Sequence, residues 1–179
     1  MKYVHFAKWS LGAILFVTLI NSAFAQDDKS KRQSPPVIAS GKIGEAKIAI
    51  DYSSPSVKGR KIFGEKLLYD VVWRAGANEA TLFTTDKDIK VEGKTLKAGT
   101  YSFFATPGEN EWVIFFNSET GQWGDRQDGS TNMDPAKTVL SVKIKPVKLK
   151  DVSERLVYTI KDNGFSLRWE YTEIFVSAK

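Results

Sequence analysis

From Ala46 onward, apolar side chains fall on alternate positions, and that period of two constrains the fold more than any other feature of the chain. "AKIAIDY" (46–52) puts Ile48, Ile50 and Tyr52 on one face. "GTYSFFATPG" does the same with Tyr101, Phe103 and Ala105, and "TVLSVKIKPV" opposes Leu140, Val142 and Ile144 to Val139, Ser141, Lys143 and Lys145. Successive side chains of a strand point to opposite faces, so this alternation marks half-buried strands. "EWVIFFN" carries Trp112, Ile114 and Phe116 on one side and Val113 and Phe115 on the other, the pattern of a strand covered on both faces. "ERLVYTIKD", "FSLRWE" and "EIFVSA" read as three more. Turn pairs punctuate the runs: Glu92-Gly93, Ala98-Gly99, Pro107-Gly108 and Asn163-Gly164, the last being the strongest hairpin signal. About nine short strands so spaced predict an all-β fold, an antiparallel β-sandwich of jelly-roll type. One short helix is expected within "GEKLLYDVVWR" (64–74), where Leu67, Leu68, Val71 and Val72 fit helical spacing.

The N-terminus has a different character. Lys2 and Lys8 precede "LGAILFVTLI" (11–20), an apolar run shorter than the ~20 residues of a spanning helix. Ala23 and Ala25 then supply the small residues of an A-x-A cleavage site. Residues 1–25 are therefore expected to be a signal peptide, with the mature chain starting at Gln26 in the periplasm or outside the cell and no membrane span left after cleavage. "QDDKSKRQSPP" (26–36) is charged, polar and closed by two prolines, which predicts a disordered leader. Residues 37–179 are expected to form one β-sandwich domain.

Cleavage narrows the available chemistry. The only histidine of the 179 residues, His5, leaves with the signal, and the chain has no cysteine. Imidazole bases, thiolate nucleophiles, disulfides and the common zinc ligand sets are thereby excluded from the mature protein. The formal charge of +5 falls by the two charges of Lys2 and Lys8, too small an excess to imply nucleic acid.

Four strings together resemble a known family: "DYSSPSVKGRKIFG", "VWRAGANEAT", "LKAGTYSFFATPGENEWVIFFN" and the Trp-Gly of "GQWG". They are similar to a family of exported, mainly Bacteroidota proteins designated domain of unknown function family 2911. The likeness runs from about Ser34 to the C-terminus. No activity is established for that family, so the resemblance implies no catalytic residue. Its members often carry an aromatic shortly after the Trp-Gly, where this chain has "DRQDGSTNMDP".

The candidate ligand-binding residues are Arg74, Arg60, Trp123, Asn78 and Glu79. Arg74 ends the apolar "VVWR", and its guanidinium offers a fork of donors for an anion. Its alternative role is structural, buried and paired with Glu79 first or Asp70 second, while Trp73 faces the core on the opposite side. Gly76 and Asn78 beside it tolerate positive φ. Arg60 lies among Lys58, Gly59 and Lys61 and could converge with Arg74 on sulfate, phosphate or a uronic acid. Trp123, in the long irregular stretch 117–135, could stack on a sugar or fold back as a lid.

Asp125, Asp128 and Asp134 fit no EF-hand spacing and Arg126 intrudes, so no metal is expected, nor any cofactor. Asp51, Asp70, Glu79, Glu170 and Glu173 are the carboxylates a glycosidase would need, but no spacing singles out a pair. The chain accordingly reads as a non-catalytic ligand- or glycan-binding module of the cell envelope. The alternatives are a structural or protein-interaction domain and a carboxylate-dependent hydrolase. The partners this admits are a glycan, an anionic small molecule or another envelope protein. If Arg74, Arg60 and Trp123 line one concavity the binding reading strengthens; if they scatter it weakens.

Overall fold

The computed structural model describes residues 28–179. The segment read as a signal peptide and its cleavage point lie outside them, as do Gln26 and Asp27 of the leader. The described chain forms ten strands: β1 (Pro36–Ile43), β2 (Ala46–Ser53), β3 (Ala77–Thr85), β4 (Ile89–Val91), β5 (Lys94–Leu96), β6 (Gly99–Thr106), β7 (Trp112–Asn117), β8 (Thr138–Ile144), β9 (Val147–Lys161) and β10 (Gly164–Ser177). Six of them form one antiparallel sheet in the order β1-β2-β3-β6-β7-β8. That order is a meander interrupted by the small β4–β5 hairpin. A jelly roll would need crossed Greek-key connections, and none is present in this sheet.

The second layer is the long β9–β10 hairpin. The end of the chain extends it onto β4: Lys90 and Lys179 exchange backbone hydrogen bonds of 2.7 and 3.0 Å, and Val91 bridges Ala178. Between the layers lies the core that the alternation predicted. Ile48, Ile50, Phe83, Phe103, Ile114 and Phe116 from the sheet meet Leu156, Tyr158, Phe165, Leu167, Ile174 and Val176 from the hairpin, all buried. Phe83, Phe103 and Phe116 touch each other or Phe165 at ring centroid distances of 5.2–5.7 Å. Such contacts, three of them edge-to-face, add about 0.5–1.5 kcal/mol per pair to plain burial.

"FSLRWE" and "EIFVSA" are one strand rather than two. In β10 the odd residues Phe165, Leu167 and Trp169 face inward, and then the even residues Ile174 and Val176 do, with Ala178 just beyond its end. The phase switches at Glu170, a non-glycine residue at φ 55, flanked by shifts in the β9–β10 register. A bulge of this kind adds residues on one strand and re-aims the side chains beyond it.

No α-helix forms among the described residues; the two helical turns, Lys29–Lys31 and Pro135–Lys137, are three-residue 3-10 pieces. The helix expected at 64–74 is replaced by tight turns. Gly64 (φ 86) and Asp70 (φ 63) adopt left-handed backbone, and Gly64 N–H donates to Leu67 O at 2.8 Å. Leu68 and Val71 remain 59% and 52% exposed, so their helical spacing does not mark a buried face. The described part of the leader carries the first 3-10 turn and runs into β1 at Pro36, inside the range read as 26–36.

The middle of the outer face of the six-stranded sheet is also covered. Phe104 and Ser102 point away from the main core yet are fully buried. The long loop after β7 folds back over them: Met133 packs with Phe104 and Ala80, and Gln122 accepts from Ser102 Oγ at 3.2 Å and, through its carbonyl, from Ala80 N at 3.1 Å. This accounts for the length of the loop, which closes a second, smaller core.

Candidate functional site

The segment 73–81 connects the turns to β3. Trp73 exchanges backbone hydrogen bonds with Ala105 (2.7 and 2.9 Å) and sends its indole into the core, where Nε1 donates to Gly76 O at 2.9 Å. The left-handed positions are Ala75 (φ 52) and Asn78 (φ 60). Gly76 is required for a different reason than its expected positive φ: a Cβ there would stand 2.6 Å from Thr81 Oγ1. Tyr158 Oη and Thr81 Oγ1 both donate to Ala75 O, at 2.7 and 3.1 Å, which fixes the crossing.

Arg74 points the other way, as expected, but its partner is neither Glu79 nor Asp70. Its Nη1 donates to Asp125 on the long loop. Gly124 is what allows that loop so close, because a Cβ on it would fall 1.9 Å from Arg74 Cδ and 2.9 Å from Asn78 O. Arg74 Nε is buried without an acceptor. Arg74 and Asp125 border a cavity of about 610 Å³ together with Leu67, Leu68, Val71, Val72 and Met133. The pair neutralises itself, leaving this hollow mainly apolar.

Glu79 is held by the leader. Arg32 Nη1 lies 3.0 Å from both of its oxygens and Lys29 Nζ 2.8 Å from Oε1. Burial opposes ionisation of Glu79, but the hydrogen bonds from Lys29 and Arg32 outweigh it and hold its pKa at about 2. Glu79 also forms a β-bridge with Trp123, whose indole is 50% exposed and has the Arg32 guanidinium 5.9 Å above its ring. Asn78 donates from Nδ2 to Ser34 O at 3.1 Å. Asn78, Glu79 and Trp123 are therefore brought together, with Arg74 just behind them.

Arg60 is elsewhere. Its Nε and Nη2 donate to Val57 O (2.9 Å) and Ser56 O (2.7 Å), bracing its own turn and leaving Nη1 without a partner among the described residues. It borders a cleft of about 810 Å³ between that turn, the 107–112 turn and the β9–β10 bulge. Phe63 and Trp112 form the cleft floor, and Tyr69 and Tyr171 stand on its rim, 38% and 46% exposed. Sequence reasoning missed these tyrosines. The available signal was Tyr171 next to a bulged glutamate, visible only once strand phase is known.

Two of the three cleft carboxylates hold backbone donors, while the third, Glu109, is exposed. Glu170 accepts from the backbone N–H of Ile62 (3.2 Å) and Phe63 (3.3 Å), and Glu154 from that of Lys58 (2.9 Å). Of the other glycosidase candidates, Glu173 lies 3.9 Å from Arg168, while Asp51 and Asp70 border neither hollow. The loop aspartates are likewise engaged separately: Asp125 by Arg74, Asp128 by Ser130, and Asp134 by Ala136 N.

Arg74, Arg60 and Trp123 thus do not share one concavity, which weakens the reading that combined them. Comparison with curated proteins and with solved structures finds no match. One family profile, described as "Protein of unknown function (DUF2911)", matches residues 34–178.

Proposed function

The chain belongs to the DUF2911 family of proteins of unknown function, and we propose that this member is an exported, non-catalytic module that binds a carbohydrate carrying an anionic group. Export is supported by the apolar run 11–20 with Ala23 and Ala25 beyond it. The observation that carries the binding reading is the cleft beside Arg60, where two half-exposed tyrosine rings, Tyr69 and Tyr171, stand over an aromatic floor. Flat aromatic faces stack on the apolar faces of sugar rings, and a braced guanidinium with a free Nη1 suits a carboxylate or sulfate. Lys61 and Lys148 on the same rim, with Arg60, offset the charge of Glu109, Glu154 and Glu170. Catalysis is disfavoured because Glu170 spends both oxygens and Glu154 one on backbone donors, which leaves Glu109 as the cleft carboxylate without such a bond among the described residues.

Affinity electrophoresis against neutral and uronic-acid-containing polysaccharides tests this. Tyr69→Ala with Tyr171→Ala should weaken retention about tenfold, equivalent to ~1.4 kcal/mol. Arg60→Ala should weaken only the acidic polymers, and Trp123→Ala should change neither. Retention indifferent to the tyrosines would remove the cleft from the explanation. Val147 and Val152, 60% and 46% exposed on the same rim, favour a second reading, a segment of another envelope protein. Capture of such a protein, lost with Val147→Ser and Val152→Ser, would favour that one.

A further inference from the structure

The leader adheres to the domain in an unusual way. None of the residues in its 3-10 turn is buried, and its side chains add nothing to either core. Among the described residues, the contacts that hold its side chains are polar. Glu79 receives Arg32 and Lys29, and the exposed face of Trp123 underlies the Arg32 guanidinium. The backbone just beyond Arg32 is read as well: Asn78 Nδ2 donates to Ser34 O at 3.1 Å and Ser54 N to Pro35 O at 2.9 Å. A carboxylate, an aromatic plate and two backbone-directed donors, spaced along an extended segment, are the elements with which a domain recognises a peptide.

These reading groups are positioned without help from the leader. Glu79 and Trp123 face each other across a β-bridge, flanked by Ala80 N donating to Gln122 O at 3.1 Å and Gly124 N to Asn78 O at 3.0 Å. Asn78 sits at φ 60, fixed by the crossing of the segment before β3. The site therefore exists as a surface of the domain, and the leader is its occupant. The side chains of its ion pairs are 20–54% exposed, so the leader can leave without opening either core.

We propose that Asn78, Glu79 and Trp123 form a recognition site for an extended basic peptide that presents an arginine two residues before a backbone acceptor, and that residues 29–35 fill it in cis. Tethering gives the cis segment a millimolar effective concentration, so an equivalent peptide in trans competes poorly until the tethered one is disabled. The site then takes a basic segment of the same pattern from another molecule. It is separate from the cleft beside Arg60 and does not depend on it.

A fluorescently labelled peptide of residues 28–36, monitored by anisotropy, tests the proposal on the full chain. Binding to the Lys29→Ala/Arg32→Ala protein should be about tenfold tighter than to the unaltered protein. Adding Glu79→Gln or Trp123→Ala to that variant should abolish the gain, and a peptide with alanine in place of its arginine should not bind. Thermal melts of each variant establish that the fold persists; Trp123→Ala, with its side chain half in solvent, serves if Glu79→Gln melts early. Equal affinity for altered and unaltered protein, no binding to either, or binding indifferent to both Glu79→Gln and Trp123→Ala would overturn it.

Discussion

At the scale of single residues, Trp73 and Arg74 divide one backbone position between core and surface. Trp73 is 5% exposed and stacks on Trp169 at 5.7 Å, so Trp73→Ala should lower stability by about 3–5 kcal/mol in urea denaturation. Arg74 and Asp125 have side chains 20% and 32% exposed, which places their pair between a surface bridge and a buried one. Arg74→Ala should cost about 1–2 kcal/mol, and adding Asp125→Ala should return part of it, since no orphan charge then remains. A double variant as unstable as the two losses added would mean the residues act independently. The sequence made the division itself legible, because neighbours on an extended segment face opposite ways. It could not disclose the partner: Asp125 lies 51 residues on, in a loop whose path over the sheet has no periodicity to read. Only Gly124, inside the Trp-Gly pair, marks the place where that loop meets Arg74.

At the scale of elements, β2, β6, β7, β8, β9 and β10 were written in the alternation, whereas β1, β3, the short β4 and β5, and the strand ends and turns were not. The β9–β10 hairpin was expected at Asn163-Gly164, but Lys161 pairs with Gly164, so Asp162 and Asn163 make the turn. Gly164 is needed as the first residue of β10, at φ 147, where a Cβ would stand 2.2 Å from Val176 O. Gly164→Ala should therefore cost about 2–4 kcal/mol, strain and collision together. Gly44, at φ 54 with open space around it, supplies the control. There Ala should cost only the conformational strain, about 1–2 kcal/mol. Chemical denaturation of the two variants checks the ranking, and equal losses would mean the collision at Gly164 relaxes freely. The helix expected at 64–74 misled because apolar residues three and four apart also arise when turns expose them, and period alone does not report burial.

At the scale of the whole molecule, charge and burial set a stability plateau. Glu79 has a folded pKa of about 2 against an ordinary 4.5, so its contribution is present above pH ~4.5 and is lost as pH falls toward 2. Burial raises Tyr158 and Tyr52 above their ordinary value of 10, so their contribution is complete below pH ~10 and lost as pH climbs beyond it. Melting temperature should be level between about pH 5 and 9 and fall on both sides. Glu79→Gln should flatten the acid limb and leave the alkaline one; an unchanged acid limb would assign it to other carboxylates. The candidate site was half legible at this scale. Asn78, Glu79 and Trp123 do meet, but Arg60 separates from them because turns of similar composition can sit anywhere on a sandwich. The meander order has a further consequence, in time rather than space. A chain emerging N-terminus first completes β1 to β8 while the inner aromatic layer of Phe83, Phe103 and Phe116 still faces water, for the hairpin that roofs it comes last. Until Val147 and its successors are made, no part of the chain is available to cover that face, and uncovered apolar surface of this kind is what drives aggregation during folding.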